Sequence, residues 1–190
     1  MWGRLADLAI SPLEVPDDIA GLAELFRGLR HLPYAMLLLS GGNLDCSRYC
    51  LMGWDPYLVI RGKGGTVEVR SGGQVQTLAA DPFDVLDEAL EALKLPGPPP
   101  LAPCAAGAMG FLAYDLKNRL ERLPATAKDD LGLPELVWAF PRRLVVQDRW
   151  EGRFWSVRVH HEGQGGFSQP AGPEVADLIR AARVLEGERA

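Results

Sequence analysis

The sequence predicts an α+β fold, with antiparallel β-hairpins and helices packed on the outside. Three observations lead there. Strand-like runs are joined by Gly64-Gly65 and by Gly72-Gly73, turns that suit antiparallel pairs, whereas parallel strands need a long crossover. Glu151-Gly152 joins two further runs in the same way. Between and beyond the hairpins, apolar residues recur at helical spacing.

Taken in order, Asp17-Asp18 provide negative charge for a helix start, and Ile19, Leu22, Leu25, Phe26 and Leu29 form its apolar stripe. Tyr34 to Leu39 is an apolar run of buried-strand length. Tyr57 to Lys63, Thr66 to Arg70 and Gln74 to Leu78 are the arms of the Gly-Gly hairpins. Asp81-Pro82 reads as an N-cap followed by proline at the first helical position. Phe83, Leu86, Leu90 and Leu93 then line one face, and the proline-rich stretch from Pro96 to Pro100 ends the helix. Arg143 to Trp150 and Arg153 to His160 flank Glu151-Gly152; in the second arm Trp155, Val157 and Val159 alternate with Ser156, Arg158 and His160. Gly163 to Pro173 reads as an exposed loop, and a last helix, Glu174 to Glu188, carries Val175, Leu178, Ile179, Ala182 and Leu185.

Composition excludes several function classes. The 190 residues carry 20 basic against 25 acidic side chains, a formal charge of −5, so the basic footprint of a nucleic-acid binder is missing. No apolar stretch reaches the ~18 residues of a membrane span; the longest, Leu101 to Leu112, is broken by Pro103, Gly107 and Gly110. The opening Met1-Trp2-Gly3-Arg4 lacks the basic and apolar regions of a secretory signal. Three cysteines, without a disulfide rhythm, fit a reducing cytoplasm.

The candidate chemistries are thin. Gly107-Ala108-Met109-Gly110 lacks the Lys-Ser/Thr ending of a phosphate loop and reads better as a strand passing close to other backbone. Cys46 and Cys50, spaced C-x3-C, and the adjacent His160-His161, whose rings point to opposite faces of a strand, do not make a four-ligand metal site. Ser40 precedes Gly41-Gly42, but no Gly-x-Ser-x-Gly elbow surrounds it. Asp129-Asp130 and Asp17-Asp18 suit turns and helix starts. No catalytic residue and no metal ligand is assigned.

One constellation differs. The run Leu37-Leu38-Leu39-Ser40 delivers a hydroxyl at the end of an apolar strand, and Arg48-Tyr49-Cys50 then brings a cation beside a phenol. These are the parts needed to hold a small amino acid or carboxylate. The same residues equally suit a turn-capping serine and a core tyrosine.

At this point the sequence resembles a known family. Leu37-Leu38-Leu39-Ser40 is similar to a Leu-Leu-Glu-Ser segment, and Arg48-Tyr49-Cys50 through Gly53-x-x-Pro56 to an Arg-Tyr-Ser…Gly-x-x-Pro segment. Gly107-x-x-Gly110-Phe111-x-x-Tyr114-Asp115 with Glu121 matches Gly-x-x-Gly-Tyr-x-x-Tyr-Asp…Glu; Leu133-Pro134-Glu135 and the strand ending at Asp148 complete the series. In this order, over roughly residues 30 to 150, they resemble the N-terminal domain of component I of the chorismate-utilising synthases, the aminodeoxychorismate and anthranilate synthases.

The resemblance implies a single N-terminal domain spanning residues 1–190, packed against a C-terminal chorismate-binding domain that these residues do not include. The parent enzyme would aminate chorismate to 4-amino-4-deoxychorismate, for para-aminobenzoate and folate, with ammonia from a glutaminase (glutamine amidotransferase) subunit. Mg²⁺ would be bound by the missing catalytic domain, leaving this chain without a cofactor and not itself catalytic. The alternatives are the regulatory domain of anthranilate synthase and a stand-alone, non-catalytic amino-acid-binding module. By resemblance, a tryptophan-type pocket would be lined by Leu38, Leu39, Ser40, Arg48, Tyr49 and Cys50. Leu39 stands where the family carries an acid, and Cys50 where it carries a serine. Those departures imply weak or absent tryptophan binding, which favours the 4-aminobenzoate branch.

Overall fold

The computed structural model describes residues 2–42, 44–95, 106–122, 124, 128–162 and 172–187, with no side chains for Ala6 or residues 185–187. Two long strands organise it: β3 (Tyr49–Lys63) and β7 (Leu136–Asp148). They pair antiparallel from Tyr49↔Asp148 to Gly62↔Leu136. Each then takes a different neighbour on its outer edge at each end. At one end β2 (Met36–Leu38) joins β3, and β8 (Arg153–Glu162) followed by β1 (Arg4–Leu13) joins β7. At the other end β4 (Thr66–Ser71) and β5 (Gln74–Ala79) extend β3, and β6 (Met109–Leu112) joins β7. The result is one eight-stranded, antiparallel sheet.

The division falls at two prolines. Pro56 and Pro141 lie opposite each other, and the register slips by one residue before Leu58. Proline has no N–H to donate, so a facing pair interrupts the ladder and favours a bulge. Asp55, just before it, has φ 56°. The same prolines, with Gly53, hide both strands from sequence reasoning, which detects β3 only from Tyr57 and β7 only from Arg143. β1 went undetected: Leu8 and Ile10 are half-buried and Pro12 lies within it.

The hairpin expectations hold. Gly64 and Gly65 have φ 57° and 83°, and Gly72 and Gly73 have φ 57° and 75°, the doubly positive pattern that suits the strand twist. Along β8, Val157 and Val159 are buried and Trp155 packs against the core, while Arg158 and His160 face solvent.

The helices sit partly as expected. α2 (Pro82–Ala92) starts where Asp81 accepts the Phe83 N–H at 2.8 Å, but its buried residues are Pro82, Val85 and Ala89, and Leu90 is exposed. Of the predicted face, Leu93 is buried as well and Phe83 and Leu86 pack against the same core, so Leu90 alone turns to solvent. α1 (Leu22–Phe26) is one turn, begun by Gly21 rather than by Asp17-Asp18. Short turns from Arg27 to Ala35, with bonds three residues back, carry its stripe on to Leu29. The expected strand from Tyr34 shrinks to β2, since Tyr34 itself has φ 58° and lies in a turn. A short 3₁₀ turn (Tyr114–Leu116) leads into α3 (Lys117–Leu120). α4 (Val175–Gly187) buries Leu178 and Ala182. The proline stretch 96–100, most of the 163–173 loop, residue 188 and the Leu185 side chain lie outside the described residues.

Two apolar clusters flank the sheet. One joins Tyr57, Ile60, Val67, Val85, Phe140 and Val157 under α2. The other places α1 and α4 over Cys50, Met52, Trp54 and Val145. No described helix is long and apolar enough to cross a membrane.

Candidate functional site

The six candidate residues fall where β2 meets β3. Leu38 is the last residue of β2, opposite Leu51, and Ser40 lies two residues further on. Ser40 prolongs the pairing with its side chain: its hydroxyl donates to the Tyr49 carbonyl at 2.6 Å, and its N–H reaches Cys50 Sγ at 3.3 Å. Cys50 is buried in the α1–α4 cluster, as its alternation along β3 requires. Leu38 and Leu39 remain exposed.

Arg48 stands just before β3. Its Nε lies 2.9 Å from Asp148 Oδ2 and its Nη2 2.6 Å from the same oxygen. The guanidinium lies over the rings of Tyr49 and Trp150, at 5.0 and 5.2 Å from their centroids. Asp148 also accepts the N–H groups of Trp150 and Glu151, which starts the β7–β8 turn. The Arg48 hydrogen bond, then those N–H groups, hold the Asp148 carboxyl below the usual carboxylate range against the opposing effect of burial. The same contact raises Arg48 further.

The structure thus links Ser40, Arg48, Tyr49 and Cys50 through neighbouring contacts, with Leu38 and Leu39 alongside. It also commits the Ser40 proton and the Arg48 fork to partners within the chain. A ligand carboxylate at the Nε–Nη2 edge of Arg48 competes with Asp148 for the same N–H groups. Asp148 and Trp150 complete this corner, and sequence reasoning did not connect them to it: Asp148 lies 100 positions from Arg48 and no local pattern joins them.

Elsewhere, Cys46 is exposed and Cys50 buried, both as free thiols. His160 faces solvent, whereas His161 stacks on Tyr57 at 4.5 Å and its Nε2 lies 2.8 Å from the Trp2 carbonyl. Asp129 sits in a turn, accepting the Gly132 N–H and pairing with Lys63. Among the described residues no group of three or more His, Cys, Asp or Glu side chains is placed to hold a metal ion.

No family model matches the chain. Aminodeoxychorismate synthase component 1 of Salmonella typhimurium is 36% identical over 141 residues, which cover 73% of this chain and 28% of that protein. The chain is a homologue of component 1 of the aminodeoxychorismate and anthranilate synthases. Anthranilate synthase component 1 of Synechocystis is 30% identical over 128 residues, 66% of this chain and 25% of that protein. The corresponding protein of Mycolicibacterium smegmatis is 43% identical over a shorter 72 residues, 38% of this chain. The chain therefore spans about a quarter of the length of the first two component 1 proteins. Among solved structures, anthranilate synthase component I from Streptococcus pneumoniae TIGR4 gives a TM-score of 0.48 at 19% identity, over 95% of this chain and 37% of that one.

Proposed function

We propose that this chain is the N-terminal, pocket-bearing α+β domain of an aminodeoxychorismate synthase component I. The observation that carries the reading is the 36% identity to the Salmonella aminodeoxychorismate synthase component 1 over 141 residues. The parent enzyme replaces the 4-hydroxyl of chorismate by an amino group. A separate chorismate-binding domain holds Mg²⁺ and does the chemistry, and a glutamine amidotransferase subunit supplies ammonia. The chain itself contributes the corner built from Ser40, Arg48, Tyr49 and Cys50 and an apolar surface for the catalytic domain. Exposed Phe111, Leu112, Tyr114, Leu120, Leu131 and Leu133, clustered in sequence around β6, α3 and the approach to β7, support that second role. A cytoplasmic location follows from the same assignment.

The rival branch, the regulatory domain of anthranilate synthase, draws support from the 43% identity over 72 residues to the Mycolicibacterium protein. Product analysis separates the two. The full-length parent enzyme, given chorismate, ammonia and Mg²⁺, is expected to form 4-amino-4-deoxychorismate. Formation of anthranilate and pyruvate instead would move the chain to the tryptophan branch.

A further inference from the structure

The outer face of the β3–β4–β5 end of the sheet carries a cavity of about 240 Å³, separate from the corner around Arg48. Its floor follows from register. Arg61 on β3 lies opposite Glu68 on β4, and Glu68 opposite Thr77 on β5, while Lys63 pairs with Thr66 in the next row. Side chains alternate along each strand, so these residues share the face turned away from Ile60, Val67 and Val69 in the core. The wall is a loop held down at two points. Asp129 takes Lys63 Nζ at 2.6 Å and the Gly132 N–H at 2.8 Å, and Glu135 donates its N–H to the Gly62 carbonyl at 2.8 Å.

The charges on this face do not pair off as the register suggests. Glu68 turns along its own strand to Arg70, and Lys63 is taken by Asp129. Arg61, only partly exposed, is left with no hydrogen-bond or ion-pair partner among the described residues. A guanidinium presents several N–H groups in a planar fork that matches a two-oxygen edge. The hydroxyls of Thr66 and Thr77, also unpartnered among the described residues, border the same cavity.

We propose that this cavity is a binding site for a small oxyanion, a carboxylate or phosphate that presents two oxygens to Arg61 and is bordered by Thr66 and Thr77. Its volume of about 240 Å³ is ample for such an ion.

The test is an NMR titration of the isotopically labelled 190-residue chain with sodium malonate in one arm and sodium phosphate in the other, at fixed ionic strength. Saturable shifts at the amides of Arg61, Thr66, Thr77 and Gly132 are expected in at least one arm, and the arm that saturates identifies the anion class. Arg61→Gln abolishes the saturation. Arg61→Lys, which keeps the charge without the fork, weakens it about tenfold. Arg153→Gln, on the β8 side of the sheet, leaves it unchanged. Thr77→Val, an exposed substitution that leaves Arg61 in place, also weakens binding and serves if Arg61→Gln fails to fold. Non-saturating drift in both arms, or saturation that survives Arg61→Gln or Thr77→Val undiminished, overturns the proposal.

Discussion

Arg48 and Asp148, 100 positions apart, close the open end of the central strand pair with a two-pronged ion pair. Asp148 lies directly opposite Tyr49 in the ladder, so the contact fixes where β3 and β7 begin and end together. Asp148→Asn keeps an oxygen for the Trp150 and Glu151 N–H groups but loses the charge. We expect a measurable loss of stability at pH 7 by urea unfolding, smaller at high salt because the Arg48 side of the pair is open to solvent. The sign of the pH effect follows from the lowered Asp148 pKa. Its stabilisation is fully present above the unfolded-state value near 3.9 and is lost as pH falls through the lower folded-state value. The stability difference between parent and Asp148→Asn should therefore shrink at acid pH. An unchanged difference would show that the charge contributes nothing.

Gly110 is indispensable for a reason of space. A Cβ added there would stand 1.9 Å from the Val137 carbonyl oxygen, in the strand paired with β6. Backbone cannot yield as a flexible side chain would, so Gly110→Ala is expected to cost about 3 kcal/mol or more. It should also detach β6, seen as lost amide protection from Met109 to Leu112. Gly41→Ala, whose Cβ would meet nothing within 4 Å, is the neutral control.

These positions mark how far the sequence could be read. Gly110 was legible because a glycine within a strand signals close backbone approach. The Asp81 cap and both Gly-Gly turns were legible because their chemistry is local. The central pair was not, since Pro56 and Pro141 interrupt each strand's pattern and only tertiary pairing shows that the interruptions face each other. The Arg48 corner was half legible: the cation and phenol announce a site, but the acid that occupies the cation comes from the far end of β7.

At the bend, α4 is fastened by contacts of unequal strength. The fully buried Trp54 indole N–H donates to the Pro173 carbonyl at 3.1 Å, and Arg143 pairs with both Asp55 and the exposed Glu174. Trp54→Phe removes a buried donor and leaves packing, costing about 1–2 kcal/mol. Glu174→Gln weakens ion pairs whose carboxylate is open to water, to the largely buried Arg143 and the exposed Arg158, and costs about 0.5–1 kcal/mol, less at high salt. Unfolding curves in low and high salt test the ranking. A larger loss for Glu174→Gln than for Trp54→Phe would overturn it.

The proposed function makes its sharpest demand at Leu39. Arg48 is already gripped by Asp148 and the Ser40 proton by Tyr49, so the free recognition of an amino acid here depends on a partner for its ammonium group. Leu39 offers none, and the chain is expected to show no low-micromolar heat of tryptophan binding. Leu39 is exposed, so Leu39→Glu adds a carboxylate without disturbing the core. A solvent-exposed carboxylate–ammonium pair worth up to about 1 kcal/mol then raises tryptophan affinity by up to about fivefold. Calorimetric titration of both proteins measures the change. Tight binding by the unaltered chain would show that the missing acid is not what limits the pocket, and would return weight to the anthranilate branch.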